Sequence, residues 1–250
     1  ARFVYNHFLA IRRDNWQEKH ESVTYVKSSR LLTELKCNPD FVWLKSVDSM
    51  ALQEALRNLD RAFQNFFKKQ SGYPKFKSKH SHNQSYRTRN QSGGIRIIDG
   101  NIKLPRIGIV KTKLSREFEG RILNATVSRT PAGKYFVSLC VEMDIELLLR
   151  RNNGRQIGID VGIKEFYSND QGNTVANPHI LKGMEKKLKR LQRSLSRKVK
   201  GSNNRNKARI KVARLQERIA HIRKDFLHKE STRLVRENQL IAVENLKVKN

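Results

Sequence analysis

Two carboxylates stand where a chain seldom leaves a charge without a partner. Asp160 lies in QIGIDVGIKEF between Gly158 and Gly162, and Glu244 closes the apolar run of LIAVENL. Burying a lone carboxylate is costly, and a divalent metal ion is one partner that offsets the cost. Mg²⁺ takes oxygen ligands, typically one or two carboxylates together with substrate phosphates. The two acids therefore predict metal-dependent chemistry on a phosphodiester, with two Mg²⁺ ions as the expected cofactors.

The segment QIGIDVGIKEF alternates aliphatic residues with small or charged ones. Successive strand residues point to opposite faces, so one face is aliphatic and the other carries Asp160 between two glycines. Glycine in a strand often marks the close approach of a ligand or backbone. The ligand expected to approach Asp160 is the backbone of a nucleic acid. The alternative is a salt bridge or backbone cap for each acid. A strand aspartate followed by glycine also occurs in sugar kinases and actin-like ATPases.

The composition points to a polyanionic partner. The 250 residues include 52 Lys and Arg against 23 Asp and Glu, a formal net charge of +29. Such an excess is the electrostatic signature of a nucleic-acid-binding protein, although a basic chain can also bind an anionic membrane surface. No apolar run of membrane-spanning length and no signal peptide is present, so no membrane partner is expected.

The cysteines and the chain ends give two further expectations. Cys37 and Cys140 are isolated and no CxxC motif exists, so the chain has no readable zinc site. Both thiols are predicted to be buried in a reducing cytosol. The chain starts at Ala1 within a helical pattern and stops at Asn250 after an apolar strand, which suggests a fragment of a longer protein.

Three kinds of element must position these residues. Residues 1–70 predict helices, most clearly 47–67, where apolar residues recur in steps of three and four behind a Ser46 N-cap. Residues 94–145 predict short strands of a small barrel or sandwich. Residues 184–226 predict two amphipathic helices joined by a polar loop, which should pack as an antiparallel pair.

Two regions are candidates for nucleic-acid contact. Between Lys68 and Arg89 there are seven Lys or Arg and no acid, with aromatic residues interleaved. This pattern suits phosphates and bases but equally suits a solvated loop whose rings pack inward. Between Lys182 and Arg214 there are 14 Lys or Arg against one acid. This excess favours a surface that contacts phosphates over an ordinary solvated helix face. The candidates are Tyr73, Lys75, Lys77, Arg87, Lys186, Arg190, Arg197, Arg205 and Arg209.

The chain resembles the transposon-encoded TnpB family, the RNA-guided relatives of type V CRISPR effectors. The strand with Asp160, the hairpin and basic insert after it, and LIAVENL match the first two motifs of the family's RuvC-type nuclease in order. Further segments that resemble the family are ARFVYNHFLA, ALQEALRNLDRAFQNFFKK, GYPKFK, SYRT, KLPRIGIVKTK, KDFLHK and STRLVRE.

The resemblance implies an α+β multidomain fold. Residues 1–80 would form a helical recognition lobe, 81–150 a small β-barrel wedge domain, and 151–250 part of a RuvC/RNase H-like α/β domain with a basic helical hairpin insert. It also implies a guide RNA and a double-stranded DNA target, one monomer per guide RNA, and a cytoplasmic, nucleoid-associated location in a prokaryote.

The resemblance assigns roles to individual residues. Asp160 would be the first catalytic aspartate and Glu244 the catalytic glutamate, both binding Mg²⁺. Tyr25, Ser29 and Gln53 would read a short DNA motif beside the target, with Ser49 where a relative places lysine. The family's third aspartate and Zn²⁺ ribbon lie beyond this chain, so the chain as given is expected to cut DNA poorly.

Two other functions stay open at this stage. A nuclease-deficient RNA-guided repressor would bind DNA without cutting it, and a conventional DNA transposase would use the same metal chemistry without a guide. A second metal site is also conceivable, because His221, Asp225 and His228 share one helical face. In so basic a helix, structural hydrogen bonding is the favoured interpretation of those three residues.

Overall fold

The computed structural model describes residues 1–79, 81, 84–144 and 154–245. The chain divides into two compact units, 1–145 and 146–250. Both units contain helices and strands, so the chain belongs to the α+β class that the sequence predicts. No helix within the described ranges is long and apolar enough to cross a membrane. The proposed division of the first unit at residue 80 stays a prediction.

Three α-helices and a 3₁₀ helix open the first unit. They are α1 (Arg2–Lys19), α2 (Tyr25–Leu35), the 3₁₀ helix Pro39–Ser46 and α3 (Ser49–Phe67). The predicted stripe on α3 is confirmed, because Leu52, Leu56 and Leu59 are fully buried. They pack in one cluster with Phe8 of α1 and Leu32 of α2. The period of 3.6 residues puts them on one face, and that face holds the helices together.

The start of α3 differs from the sequence-based expectation. Asp48, not Ser46, is the N-cap, and its Oδ1 accepts a hydrogen bond from the backbone N–H of Met50 at 3.1 Å. Ser46 closes the preceding 3₁₀ helix, where its hydroxyl donates to the carbonyl of Trp43 at 2.7 Å. Asp and Ser are equally good N-caps in isolation, so residue type alone does not decide between Ser46 and Asp48. Because the 3₁₀ helix that begins at Pro39 includes Ser46, α3 begins after Asp48 instead.

Six strands follow in the first unit: β1 (Gln84–Arg89), β2 (Arg96–Ile98), β3 (Asn101–Leu104), β4 (Gly108–Val110), β5 (Arg121–Arg129) and β6 (Tyr135–Glu142). They form two antiparallel sheets, β1-β5-β6 and β2-β3-β4. No closed barrel forms among the described residues, so the predicted barrel is wrong in that respect. Strands of three or four residues are too short to continue a ladder around a barrel, and the two sheets instead share one apolar cluster.

The cysteine prediction is also wrong. Cys37 and Cys140 are both exposed and both are free thiols. Cys37 follows the end of α2, and Cys140 lies on β6 at a position whose neighbours alternate between half-buried and exposed. A small apolar side chain is most often buried, but the period-two alternation of a strand decides which face it occupies.

A four-stranded sheet and a helical hairpin make up the second unit. The strands are β7 (Gln156–Asp160), β8 (Glu165–Asn169), β9 (Thr174–Ala176) and β10 (Leu240–Val243), in the order β10-β7-β8-β9. The β10–β7 pair is parallel and the other pairs are antiparallel. Although the run LIAV is apolar and reads as a buried strand, β10 lies at the edge of the sheet, with Leu240 and Val243 exposed.

The hairpin consists of α4 (Ile180–Ser196) and α5 (Asn203–Glu237), which pack against each other. The predicted stripe is confirmed, since Val212, Leu215 and Ile219 of α5 are buried. Near its C-terminal end α5 leaves the hairpin and packs Leu234 against the apolar cluster of the sheet. A single 35-residue helix therefore serves both the hairpin and the sheet.

Candidate functional site

The parallel pairing of β7 and β10 sets the two predicted catalytic carboxylates side by side. Ile159 pairs with Val243, so Asp160 and Glu244 occupy the next positions of neighbouring strands, at the same end of the sheet. Directly opposed residues share a face, and adjacent strands lie about 4.8 Å apart. The register therefore brings Asp160 and Glu244 to corresponding positions at the same end of the two paired strands.

Neither carboxylate is used by the surrounding structure. Asp160 and Glu244 are exposed, and within residues 154–245 neither has an ion-pair or hydrogen-bond partner. The salt bridge or backbone cap that was the alternative explanation is absent from this range. Two hard oxygen donors at one sheet edge suit Mg²⁺. No group of three acids, histidines or cysteines that could hold a metal occurs in the described residues, so the pair is an incomplete ligand set.

The two glycines that flank Asp160 have different neighbours. A Cβ on Gly158 would meet the Asp170 side chain at 3.6 Å, an ordinary contact. A Cβ on Gly162 would lie 2.9 Å from the backbone carbonyl of Glu165. Gly162 thus closes the turn between β7 and β8, where its N–H donates to the Phe166 carbonyl. The absence of a side chain at Gly162 has a structural cause that requires no bound nucleic acid.

Replacing Gly162 by alanine is expected to destabilise the second unit by about 1–3 kcal/mol, the usual cost of forcing atoms into a packed site. Gly158→Ala is the matched control, and it should be neutral or stabilise by up to about 1 kcal/mol. Native-state hydrogen exchange of the β7 and β8 amides measures both effects. An equal loss for the two variants would contradict this packing explanation.

Asp170 is a third acid on the same face and was missed by sequence reasoning. Its N–H donates to the Gly158 carbonyl at 3.1 Å, and its side chain lies over Gly158 rather than beside Asp160. The turn signal Asn169-Asp170-Gln171-Gly172 predicts the β8–β9 turn. It does not reveal that the turn folds back over β7.

The three residues expected to read DNA form one hydrogen-bonded cluster on α2 and α3. The Tyr25 hydroxyl donates to Gln53 Oε1 at 2.9 Å, and Gln53 Nε2 donates to Ser29 Oγ at 3.1 Å. All three side chains are partly exposed. The guanidinium of Arg57 lies 4.9 Å from the centre of the Tyr25 ring. The fold thus brings Gln53 of α3 against Tyr25 and Ser29, which lie one turn apart on α2, and adds a cation.

A buried carboxylate supports this cluster from behind. Glu54, 4% exposed, accepts a hydrogen bond from Arg89 Nε of β1 at 2.5 Å and lies 3.7 Å from Arg57. The neighbouring Thr88 hydroxyl donates to Asp48, the α3 cap. Sequence reasoning missed this network, because Glu54 falls within an amphipathic helix and its partner lies on another element.

The candidates in the first basic region are only partly free. Lys77 exchanges two backbone hydrogen bonds with the Asn6 side chain, and its ammonium lies 4.1 Å over the Tyr5 ring. This desolvation lowers the pKa of Lys77 from its ordinary value. Arg87 donates to Asn124 of the neighbouring strand. Lys75 is exposed.

The aromatic residues of that region are neither fully buried nor fully free. Tyr73 contacts Phe63 and Phe66 edge-on at 5.6 and 5.4 Å between ring centres, yet its side chain stays exposed. Phe76 lies beneath the Arg13 guanidinium at 5.6 Å and is also exposed. Both the stacking interpretation and the inward-packing interpretation therefore have support at different residues.

The cations of the hairpin fall into two groups. Lys186 and Arg190 of α4 and Arg197 directly after it repeat in steps of four and seven, and they have no partner among the described residues. Arg205 instead donates to the carbonyls of Leu195 and Lys198 at 3.0 and 2.9 Å, which caps the C-terminus of α4. Arg209 bonds to Asn206. The first group is therefore the better candidate for phosphate contact.

Substitution of Arg190 and Arg205 separates these two roles, because each variant removes one positive charge. Arg190→Ala should weaken nucleic-acid binding and lower the slope of log affinity against log salt by about 0.7–0.9. Arg205→Ala should instead loosen the last turn of α4 by about 1–2 kcal/mol. Salt titrations and hydrogen exchange of that turn measure the two outcomes. A weaker affinity with an intact turn in Arg205→Ala would assign Arg205 to the nucleic acid.

The His221, Asp225 and His228 positions do not make a metal site. Asp225 pairs with Lys229 at 2.8 Å, and both residues are exposed on α5. Among the described residues there is no group of three such ligands. An acid with a lysine partner one turn away is an ordinary helix-surface pair.

Comparisons with known proteins bear on the whole chain. Residues 138–250 match the IS605 OrfB family, described as "Probable transposase". The "Putative RNA-guided DNA endonuclease InsQ" of Escherichia coli (strain K12) is 35% identical over 252 residues, covering 100% of this chain and 61% of that protein. A "Putative RNA-guided DNA endonuclease" of Streptomyces pristinaespiralis is 41% identical over 253 residues, covering 100% of this chain and 62% of that protein.

A solved structure also aligns with the chain. A "Cas12f1-sgRNA-target DNA complex" has a TM-score of 0.47 and 14% identity, covering 98% of this chain and 65% of that one. The sequence matches define a protein of transposable elements. The chain belongs to the IS605 OrfB family, the transposon-encoded TnpB proteins. It spans about three fifths of the length of the two curated relatives it matches.

Proposed function

We propose that this chain is part of a transposon-encoded RNA-guided DNA endonuclease whose RuvC-type site includes Asp160 and Glu244. The observation that supports the proposal is the β7–β10 register, in which Asp160 ends β7 and Glu244 directly follows the paired strand β10. The relatives of this chain are named as endonucleases of this kind. A guide RNA and a double-stranded DNA target, met in the cytoplasm, are the partners that follow.

In this proposal Asp160 and Glu244 would hold Mg²⁺, with a further ligand supplied from outside the described residues. When bound, the metal would lower the pKa of a water molecule that it coordinates and would stabilise the negative charge that develops at the phosphodiester. The sheet positions both carboxylates, because Asp160 is the last residue of β7 and Glu244 directly follows β10. The basic face of α4 contributes phosphate contacts.

The test uses protein expressed from the complete reading frame, together with the flanking transposon sequence. A discrete RNA should co-purify, and DNA that matches the RNA should be cut only when Mg²⁺ is present. If no discrete RNA co-purifies, the guide-dependent function is wrong. RNA-directed binding without cleavage would support the repressor alternative, and strand transfer without RNA would support the conventional transposase.

A further inference from the structure

Three polar side chains tie helix α5 to strand β8 in the second unit. The Tyr167 hydroxyl of β8 donates to Glu230 Oε2 at 3.3 Å and accepts from the Arg233 guanidinium at 2.8 Å. The same guanidinium nitrogen lies 2.6 Å from Glu230 Oε2. Glu230 and Arg233 are three positions apart on α5, so they share one face of that helix. Each side chain thus contacts the other two, and we call the set the Tyr167 triangle.

The Tyr167 triangle is largely shielded from water. Tyr167 is 5% exposed, and the side chain of Glu230 is 18% exposed, while Arg233 keeps 47% of its side chain accessible. A buried tyrosine hydroxyl needs a hydrogen-bond partner, and this one has both a donor and an acceptor. Because hydrogen bonds weaken steeply when they bend, the triangle fixes an orientation of α5 that apolar contact alone leaves free.

The triangle lies on the face of the sheet opposite to Asp160. Ser168 pairs directly with Asp160, so these two residues share a face. Tyr167 precedes Ser168 and therefore points to the other face. On that face Tyr167 packs in the apolar cluster that receives Leu234 of α5. Any effect of the triangle on Asp160 must therefore pass through the backbone of the sheet.

The corners of the triangle lie on elements that lead to both candidate catalytic carboxylates. One corner lies on β8, the neighbour of β7, which ends at Asp160. The other two corners lie near the C-terminal end of α5, which a short connection joins to β10. Glu244 directly follows β10. The triangle is therefore a fixed point between the strand beside Asp160 and the helix that leads to Glu244.

We propose that Tyr167, Glu230 and Arg233 are positioning residues, which hold α5 on the sheet so that Asp160 and Glu244 keep the spacing that a metal ion requires. The inference rests on the proposed function, because that function places the metal ion at these two carboxylates. Ligands must be held close to their productive geometry by the groups around them. Removal of an outer group that orients metal ligands typically costs about 10- to 100-fold in metal affinity or activity. The family resemblance assigns no role to these three residues.

The test uses Tyr167→Phe, which removes only the hydroxyl group, in the protein from the complete reading frame with its co-purified RNA. The Mg²⁺ concentration for half-maximal single-turnover cleavage should rise about 10-fold. The rate at saturating Mg²⁺ should stay within about 2-fold, since the carboxylates themselves are intact. Binding of Mn²⁺ in the absence of DNA, measured by electron paramagnetic resonance, should weaken by the same factor as the Mg²⁺ midpoint.

Two further variants test whether the three residues act as a unit. Arg233→Ala should shift the Mn²⁺ affinity as Tyr167→Phe does, and the double variant should lose no more than either single variant, because residues of one network are not additive. Glu230→Gln keeps an acceptor for both partners and should stay within about 3-fold of the unsubstituted protein. Additive losses in the double variant would contradict a joint role.

Two controls separate positioning from general stability. Tyr5→Phe removes a hydroxyl from an equally buried ring of the first unit, and Val212→Ala removes buried apolar groups from the hairpin. Both should leave the Mn²⁺ affinity within about 2-fold, even where thermal unfolding shows that Val212→Ala is the less stable protein. Unchanged Mn²⁺ affinity in Tyr167→Phe, or equal weakening in Val212→Ala, would overturn the proposal.

The Mn²⁺ titration also separates this inference from the proposed function. An unsubstituted protein that binds Mn²⁺ but cuts no DNA would contradict the proposed function, and the shift in Tyr167→Phe would still decide the role of the triangle. If Asp160→Ala leaves Mn²⁺ binding unchanged, the metal ion is not held at these carboxylates and both proposals are wrong.

Discussion

Replacing Asp160 by alanine in the protein from the complete reading frame is expected to abolish Mg²⁺-dependent DNA cleavage. Metal ions contribute several kcal/mol of transition-state stabilisation, so the rate should fall by about 10³-fold or more. Asp160 is exposed at the end of β7 and has no partner within residues 154–245. Its loss should therefore leave the fold and the affinity for DNA within about 2-fold.

Single-turnover cleavage and a mobility-shift assay in EDTA separate the two effects. Asp170→Asn is the matched control, since it removes a carboxylate from the same face of the sheet without touching the Asp160 and Glu244 pair. It should cut DNA at close to the normal rate. If Asp160→Ala loses binding and cleavage equally, Asp160 is structural and the proposed site is wrong.

Removal of Arg89 is expected to produce the largest loss of stability in the first unit. Arg89→Ala leaves Glu54 buried without its main partner, and breaking a buried ion pair from one side costs about 3–5 kcal/mol. The lower end of that range is expected, because Arg57 still lies 3.7 Å from the Glu54 carboxylate. Both tryptophans, Trp16 and Trp43, lie in this unit, so tryptophan fluorescence during urea unfolding follows it selectively.

The reverse substitution should cost less. Glu54→Gln keeps an acceptor for Arg89, and Arg89 itself is half exposed and can regain water. The double variant Glu54→Leu with Arg89→Met should recover most of the stability, since apolar replacements of a buried pair are often neutral or better. A greater loss in Glu54→Gln than in Arg89→Ala would show that burial of the carboxylate is not the dominant cost.

The elements of this fold were largely predictable because their signals are local. Apolar residues at helical spacing identify α3 and the two hairpin helices, and the turn chemistry of Pro131 to Gly133 locates the β5–β6 connection, where Gly133 takes a positive φ of 86°. Period and turn type depend on neighbours within a few positions. A sequence therefore carries them directly.

Features decided by distant partners were not predictable in the same way. Glu54 and Arg89 are far apart along the chain, and nothing local marks Glu54 as buried. The start of α3 depends on a 3₁₀ helix that uses Ser46 first. The prediction of a barrel was wrong because strand length and pairing, rather than the number of strands, decide whether a sheet closes into a barrel. For the carboxylate pair, the sequence supplied the two acids and the structure supplied their shared register, while their catalytic role stays a prediction.

The continuity of α5 has a mechanical consequence. At 1.5 Å per residue its 35 residues span about 52 Å, from the basic hairpin to Asn238, and only Gln239 separates Asn238 from β10. The N–H groups of Gln239 and Leu240 both hold the carbonyl of Arg155, just before β7 begins. A force on the hairpin is thus transmitted along the continuous helix α5 to β10, the strand that precedes Glu244. We therefore expect the binding of a ligand to the hairpin to change the alignment of Asp160 and Glu244.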